Sequence, residues 1–554
     1  MTVLNLLHTR LMLCCLVVLF LLGKGTGVSQ MMEPRGKDGI GKDVVGTAVA
    51  GSGASGGVAS PEQPADLALD TVLVKLAVHE NQPPLELTLK QMMDAYKIPA
   101  MSVAVIDNYQ IAWAKGFGVT ESGGSTPVST KTLFQAGSIS KPVAAVGAMW
   151  LVEHGELALD EEVNKKLKTW KVPENEFTKD QKVTLRRLMS HTAGLTVHGF
   201  PGYAVNETVP TVVQVLNGDG PANNAPVRVS FVPGTKMSYS GGGITIEQLL
   251  MIDVTGKPFP QFMQETVLSK IGMADSSYQQ PLPPARAALT ATGTRNNGKS
   301  VEGRWHIYPE MAAAGLWTTP TDLAKFAIEI ARSKQGKANH VLSQKNVQEM
   351  LTPQTKTEDG KGSVGLAFFL GDGSQPDEFG HDGSDEGFQA LLVMYADAGH
   401  GIAIMGNSDA FFWVAPYMVE SVSKSRNWKL APRPHSSTSA LMLVYSVKGA
   451  QTALEAYPRF KQGAIEGYEK PNEATLNSLG YMMLGDGKLD DAIKTLELNV
   501  REYPNGWNCY DSLGEAYMKA GKTDLAIKNY EKSLELNPNN MGGTEMLKKL
   551  RGDK

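Results

Sequence analysis

Apolar runs that read as strands lie at both ends of a long central part of the chain. Residues 100–107 form one such run, Asn108 begins a turn, and residues 110–119 read as the hairpin partner. Residues 389–395 and 401–407 form a second pair, and the patterns between the two pairs favour helices. This order predicts an α+β arrangement, in which an antiparallel sheet brings the terminal strands together and helices pack against it.

Three segments carry helix signals. Residues 85–96 read as an amphipathic helix, and residues 142–154 are apolar and helical. A third helix is predicted to start near residue 320, because Thr319 can cap it, Pro320 suits its first position and Asp322 lies in its first turn.

The C-terminal part of the chain repeats itself. Four landmarks recur with an offset of 34 residues: Leu479-Gly480, Gly487, Ala492-Ile493 and Pro504 return as Leu513-Gly514, Gly521, Ala526-Ile527 and Pro538. This is the tetratricopeptide (TPR) period, and stable arrays usually need about three repeats. Residues 437–468 are compatible with a degenerate first helix pair. The pattern predicts an all-α, TPR-like domain over residues 437–554, with two unrelated helical hairpins as the alternative.

The N-terminus indicates export. An apolar run of twelve residues, 11–22, is too short to cross a bilayer as a mature helix but fits the core of a signal peptide. We expect a signal peptide over residues 1–29, and hence a periplasmic or secreted protein. An uncleaved anchor and a buried core segment are the alternatives. Residues 30–69, rich in Gly, Ser, Ala and Pro, are predicted to form a flexible linker.

Composition narrows the range of partners. The 554 residues include 53 basic and 57 acidic side chains, a net charge of −4. Without a basic excess the chain is not expected to bind nucleic acid, and a membrane contact is expected only through an uncleaved signal anchor. Cys14 and Cys15 would leave with the signal peptide and Cys509 would remain alone, so no intrachain disulfide is predicted.

The first candidate for chemistry is a serine and a lysine at the start of a predicted helix. Ser138 and Lys141 are three residues apart, which places both side chains on one face. A partly desolvated lysine can act as the base that a nucleophilic serine needs, and a helix N-terminus favours the developing oxyanion. The spacing alone is a weak signal, and an exposed Ser/Lys pair is the alternative.

Two later segments strengthen this prediction. The glycine-rich loop at residues 233–243 contains Tyr239, and residues 380–388 contain His381 ahead of the strand predicted at residues 389–395. Together with Ser138 and Lys141, they resemble the three motifs of the superfamily that contains class C β-lactamases, penicillin-binding proteins and family VIII esterases.

The resemblance extends over roughly residues 75–425. It implies a class C β-lactamase-like fold over residues 70–430: an antiparallel sheet flanked by helices, with an all-helical subdomain. Residues 185–195 are similar to a helix and loop near the family's active site. We interpret His191, within that stretch, as a histidine that stabilises the loop.

The resemblance also implies a mechanism. Ser138 attacks an acyl carbon after giving its proton to Lys141 or to the phenolate of Tyr239. Tyr239 then protonates the leaving group, aided by His381. The backbone N–H groups of Ser138 and Ser384 are the expected oxyanion donors. No metal and no organic cofactor is predicted.

Departures from the family pattern concern substrate binding, which is expected to involve Gly241, Asp382 and Gly383. Gly241 stands where β-lactamases carry an asparagine, and His381 stands where they carry a lysine. The nearby carboxylate of Asp382 further weakens recognition of a substrate carboxylate. We therefore rank cleavage of an ester or a D-amino-acid peptide, as by an esterase or a DD-carboxypeptidase-like enzyme, above β-lactam hydrolysis.

Two other functions remain open. The chain could be a class C-like β-lactamase. It could also be a non-catalytic receptor or scaffold whose repeat domain binds a protein partner.

Overall fold

The computed structural model of the chain describes residues 69–431 and 433–552. The predicted signal peptide and residues 30–68 of the predicted linker lie outside the described residues. In chain order the strands are β1 Val72–Leu76, β2 Leu85–Thr88, β3 Ala100–Asp107, β4 Gln110–Gly118, β5 Phe134–Gln135, β6 Tyr203–Ala204, β7 His306–Ile307, β8 Trp317–Thr318, β9 Thr355–Lys356, β10 Ser363–Val364, β11 Phe369–Leu370, β12 Glu378–Asp385, β13 Phe388–Tyr395 and β14 His400–Gly406.

Helices form a large part of the remaining described chain. They are α1 Leu89–Ala95, α2 Ser140–Glu153, α3 Leu185–Met189, α4 Val212–Asn217, α5 Gly241–Thr255, α6 Phe259–Met263, α7 Ser269–Ile271, α8 Pro284–Ala287, α9 Met311–Ala314, α10 Pro320–Lys334, α11 Gln344–Met350, α12 Ala415–Ser425, α13 Ser437–Lys448, α14 Ala450–Gln462, α15 Glu473–Gly485, α16 Leu489–Glu502, α17 Trp507–Lys519, α18 Thr523–Leu536 and α19 Met541–Arg551.

One antiparallel sheet of eight strands organises the larger part of the fold. Its strand order is β4-β3-β14-β13-β12-β11-β10-β9. The N-terminal hairpin meets the late strands where β3 pairs with β14, with Ala104 opposite Ala403. The predicted α+β arrangement, with terminal strands that meet, is therefore confirmed. Sequence reasoning missed β12, an interior strand that carries His381 opposite Leu392 of β13.

The two faces of the central strands belong to different cores. In β3, Ala104 and Ile106 pack in an inner core that includes α2, α5 and α10. The alternate residues Met101, Val103 and Val105 pack in an outer core that includes α12, α13, α14 and α15. Because side chains alternate along a strand, burial on both faces requires the uninterrupted apolar run seen at residues 100–107. The sheet is thus enclosed between the helical subdomain and the first repeat helices.

The prediction of a helix over residues 85–96 is wrong for its first four residues. Residues 85–88 form β2, which pairs with β1, and α1 begins at Leu89. The Thr88 hydroxyl accepts the Gln91 N–H, and the Gln91 side chain accepts the Thr88 N–H, a capping box that fixes the helix start. The Thr-x-x-Gln spacing was the available signal. The predicted start of α10 is confirmed, because the Thr319 side chain accepts the Asp322 N–H.

The repeat landmarks mark helix ends and helix crossings. Gly487 and Gly521 follow α15 and α17 with left-handed φ angles of 73° and 70°. Gly480 lies against the next helix of its pair, since a methyl group added there would come within 2.7 Å of Leu496. Residues 437–468 supply α13 and α14, as expected for a degenerate first pair. Within the described residues, no helix combines the length and apolar character needed to cross a bilayer.

The shared outer core predicts unequal effects of two truncations. Removal of residues 437–554 takes away Leu441 and Leu476, which cover the outer face of the sheet, and exposes a large apolar surface. We expect that chain to aggregate. Removal of residues 505–554 mainly eliminates the separate small core around Leu513 and Tyr530, and we expect a soluble monomer. Size-exclusion chromatography of both truncated chains tests this, and equal solubility would contradict it.

Candidate active site

Ser138 lies in a 3₁₀ turn that leads directly into α2. Its neighbours Gly137 and Ile139 are buried, whereas Ser138 is partly exposed. The turn is fastened by Ser140, whose hydroxyl accepts the Leu316 N–H at 2.9 Å and whose carbonyl accepts the Tyr278 hydroxyl at 2.6 Å. The Ser138 hydroxyl is therefore presented from a rigid element, beside the positive end of a helix.

Lys141 is the immediate partner of Ser138. Its Nζ donates to the Ser138 Oγ at 2.8 Å and to the Ala313 carbonyl of α9 at 2.7 Å. The residue is only 2% exposed. Burial lowers the pKa of Lys141 to about 7, against the opposing charge of Asp385 and other nearby carboxyl groups. An amine with this pKa is largely neutral at slightly alkaline pH and can accept a proton from a hydroxyl.

Tyr239 completes the group around Ser138. Its ring centroid lies 5.0 Å from the Lys141 Nζ. Burial raises the pKa of Tyr239 well above its ordinary range. Its hydroxyl makes no hydrogen bond of regular geometry, but Ser138 lies close enough to oppose that rise in pKa. The phenol therefore holds its proton at neutral pH.

Aromatic and histidine rings surround Tyr239. The ring centroids of His191 and His198 lie 4.3 Å and 4.9 Å from that of Tyr239, and Phe369 is stacked at 6.3 Å. His381 lies 6.2 Å away. His198 and Phe369 had no distinguishing signal in the sequence, because each comes from a separate segment that folding brings to the phenol.

His381 is buried on β12 as a neutral imidazole. Its Nδ1 donates to the Asp382 carbonyl, so Nε2 carries the free lone pair. Burial lowers the pKa of His381 to about 3, and the charge of Lys141 adds to that effect. His381 therefore supplies a hydrogen-bond acceptor at neutral pH, where the corresponding lysine would supply a positive charge.

The serine turn lies directly against β12. A methyl group added to Gly137 would come within 2.3 Å of the Ser384 amide nitrogen, and one added to Gly383 within 3.1 Å of the Ser138 amide nitrogen. Only glycine permits this approach, which brings the Ser138 and Ser384 amides to the contact between the serine turn and β12. The buried carboxyl of Asp385 accepts a hydrogen bond from the Gly137 backbone, which stabilises the contact between β12 and the serine turn.

The remaining sequence-predicted binding residues differ in their access to the site. A side-chain atom added at Gly241 would lie 3.0 Å from the Phe200 ring and 3.1 Å from the His198 carbonyl, so a side chain here would require these neighbours to shift by a few tenths of an ångström. Asp382 follows His381 on β12, and alternation directs the two side chains to opposite faces. Its carboxylate influences the site through charge, raising the pKa of both Lys141 and Tyr239.

Two acidic residues lie in the core near the site. Glu247 on α5 and Glu310 before α9 have no exposed surface, and their carboxyl oxygens have no hydrogen-bond partner in the described structure. Burial raises the pKa of each to about 8, and the charge of Lys141 opposes that rise for Glu247. In the sequence, each of these two glutamates stands as a single acidic residue within an apolar segment, and this was the signal that could have identified them. Across residues 69–431 and 433–552, no cluster of three or more His, Cys, Asp or Glu side chains has the geometry to hold a metal ion.

Glu310→Gln should change how stability depends on pH. The folded chain keeps the Glu310 proton up to about pH 8, whereas an unfolded chain releases it above its ordinary pKa of 4.5. Wild-type stability therefore falls as pH rises between these values, and the glutamine variant should be spared roughly 3 kcal/mol of that loss. Urea unfolding of both proteins at pH 5 and pH 8 measures the difference. Parallel behaviour at the two pH values would show that Glu310 is ionised in the folded protein.

The chain is similar in sequence to several relatives and in fold to solved structures. The chain is 28% identical over 242 residues to a beta-lactamase from Pseudomonas fluorescens, a match that spans 43% of this chain and 62% of that protein. It is 26% identical over 259 residues to an unguisins hydrolase from Aspergillus violaceofuscus, spanning 43% of this chain and 42% of that protein. Each match covers less than two thirds of the relative's own length.

The octameric penicillin-binding protein homologue from Pyrococcus abyssi superposes with a TM-score of 0.52 at 21% identity, covering 61% of this chain and 76% of that chain. At this identity the likeness shows a shared fold.

Family profiles cover both parts of the chain. A tetratricopeptide repeat profile matches residues 512–540, which begin inside α17 and end just after α18. The profile described as Beta-lactamase matches residues 85–418, from β2 into α12, which is more than half of the chain and contains Ser138, Lys141, Tyr239 and His381. The chain therefore belongs to the beta-lactamase family, as a serine-hydrolase-like member that carries tetratricopeptide repeats at its C-terminus.

Proposed function

We propose that the protein is an enzyme that cleaves ester or amide bonds through an acyl-enzyme on Ser138. The observation that carries this proposal is the 2.8 Å contact between the Ser138 hydroxyl and a buried Lys141 amine whose pKa is about 7. A lysine placed only for structural reasons would be expected to keep its charge and an ionic partner. Here burial holds the pKa of the amine near 7, so its neutral form, which can accept a proton, is available beside a partly exposed hydroxyl.

In the first half of the proposed reaction, Lys141 takes the hydroxyl proton while the Ser138 oxygen bonds to the acyl carbon. The carbonyl oxygen becomes an oxyanion. The amide N–H groups of Ser138 and Ser384 lie at the contact between the serine turn and β12 and can donate to this oxyanion. Each such donor contributes about 3–4 kcal/mol in related acyl transfers.

Tyr239 is the proposed acid in the second half. Its raised pKa keeps the phenol protonated until the leaving group departs, and the phenolate then formed lies beside the newly charged Lys141 amine. The proton on Lys141 can return to Tyr239, and water then hydrolyses the acyl-enzyme. His381, whose buried Nε2 has no hydrogen-bond partner in the described structure, is proposed to support this step as an acceptor.

The substrate is proposed to be a short acyl ester or a D-amino-acid peptide. A neutral His381 offers no fixed charge to a substrate carboxylate, and Gly241 has no side-chain amide that could bind the acyl group of a β-lactam. Both features disfavour β-lactams. Class C-like β-lactamase activity stays the second candidate because the Pseudomonas fluorescens relative carries that name.

The N-terminal apolar run and the repeat helices extend the proposal. We propose that residues 11–22 direct export to the periplasm or the medium, and that the C-terminal repeats bind a protein partner. Immunoblotting of cell fractions tests the first statement. A protein found only in the cytoplasmic fraction would contradict it.

Ser138→Ala should abolish turnover. Removal of the nucleophile is expected to lower kcat for p-nitrophenyl butyrate by about 10³-fold or more, with the melting temperature unchanged. Ser446→Ala is the matched control, since it removes a hydroxyl that bonds to Met442 within α13. A variant at 138 with wild-type turnover would refute the enzymatic function.

A panel of short acyl esters, D-Ala-D-Ala peptides and nitrocefin ranks the substrates. We expect measurable ester cleavage and weak nitrocefin cleavage, because carboxylate recognition is poor. Faster nitrocefin cleavage would overturn this ranking, and stable acylation of Ser138 without turnover would favour the receptor alternative.

The rate should follow the ionisation of Lys141. The protonated amine, present below its pKa of about 7, cannot accept the hydroxyl proton. The value of kcat/KM for p-nitrophenyl butyrate should therefore fall about tenfold per pH unit below that pKa and level off above it. Lys141→Arg, which stays charged, should be inactive from pH 5 to pH 9. A profile that keeps rising above pH 9.5 would contradict the assignment of Lys141 as the base.

A further inference from the structure

Tyr239 is held along the backbone by a single histidine. The N–H of Ser238, which precedes it, donates to the His191 carbonyl at 2.8 Å. The N–H of Ser240, which follows it, donates to the His191 Nδ1 at 3.2 Å. The peptide groups on both sides of Tyr239 are therefore fixed by the main chain and the side chain of one residue.

The His191 ring also packs on the phenol. The two ring centroids are 4.3 Å apart, and His191 is 3% exposed. The residue has a left-handed φ of 56°, a conformation that non-glycine residues adopt when their surroundings enforce it. Its neighbour Thr192 accepts the Gly234 N–H at 2.7 Å, which anchors the start of the tyrosine loop.

The hydrogen bond from Ser240 fixes the state of the imidazole. Nδ1 accepts, so it carries no proton, and the ring proton sits on Nε2. Burial lowers the pKa of His191 well below its ordinary range, and the positive charge of Lys141 adds to this effect. The ring is therefore neutral, and its lone pair is already used by the Ser240 N–H, which leaves no acceptor for a substrate proton.

We propose that His191 is a positioning residue that holds the Tyr239 phenol against Ser138 and Lys141, so that the phenol proton reaches the leaving group. The inference rests on the proposed function and names a residue that acts through Tyr239 without touching the substrate. It also predicts that altering His191 should slow the step in which Tyr239 protonates the leaving group.

Two substitutions distinguish the contribution of the hydrogen bond to Nδ1 from that of the ring packing. In His191→Asn the amide oxygen can replace Nδ1 as acceptor, and asparagine tolerates the left-handed backbone. In His191→Phe the ring remains, but the Ser240 N–H loses its partner in the core. His191→Gln, whose amide oxygen reaches further than Nδ1, serves if the phenylalanine variant does not fold, and it should behave in the same way.

Leaving-group dependence is the diagnostic measurement. Ethyl butyrate and p-nitrophenyl butyrate give the same acyl-enzyme, but the departing ethoxide needs a proton and p-nitrophenolate does not. We expect His191→Phe to lower kcat/KM for ethyl butyrate by about 100-fold and for p-nitrophenyl butyrate by less than tenfold, since general acid catalysis matters only for the former. His191→Asn should restore ethyl butyrate cleavage to within about fivefold of wild type.

Ser190→Ala is the matched control in the same loop. It removes the 2.9 Å contact between the hydroxyls of Ser190 and Thr192 and leaves the contacts of His191 with Tyr239 in place. We expect a lower melting temperature with an unchanged ratio of the two rates. Equal losses on both esters in His191→Phe would overturn the positioning role while leaving the hydrolase proposal intact. Wild-type turnover in Ser138→Ala would instead remove the proposed function itself.

Discussion

The removal of one lysine amine from water is the constraint on which the site depends. Lys141 is enclosed by α2, α5 and α9, where its charged form loses hydration and, among the described residues, forms no salt bridge. The nearby carboxyl groups are buried as well, and Glu247 shares the same preference for the neutral form. The site is thus a group of acids and bases whose charged forms are disfavoured by burial.

The fold supplies the rigidity that such a site needs. β12 pairs with β13 along its whole length and with β11 at Phe379 and Gly380, and it carries His381 and the Ser384 amide against the serine turn. The glycines at 137 and 383 allow the two segments to touch. On the outer face of the same sheet, α13 and α15 contribute to the core, so these helices also stabilise the beta-lactamase-family domain.

Sequence patterns predicted the elements that are determined by residues close together in the chain. The hairpin at residues 100–119 follows from its apolar runs, and the helix pairs follow from landmarks spaced 34 residues apart. The Ser138/Lys141 spacing indicated the nucleophile because helix geometry alone places the two side chains together. Strand β12 was missed, since Gly380, Asp382 and Gly383 have low strand propensity and only pairing with its neighbours stabilises it. The contacts of His191 with the tyrosine loop were beyond reach, because segments 49 residues apart in sequence meet only in the folded chain.

The ionisation of the Lys141 amine is the most direct measurement of this arrangement. Lysine labelled with ¹³C at Cε can be titrated by NMR in the intact protein, and the resonance that disappears in Lys141→Arg identifies the residue. A midpoint near pH 7 is predicted from its burial. A midpoint near the ordinary value of 10.5 would show that the amine is solvated and charged, and that it cannot be the base for Ser138.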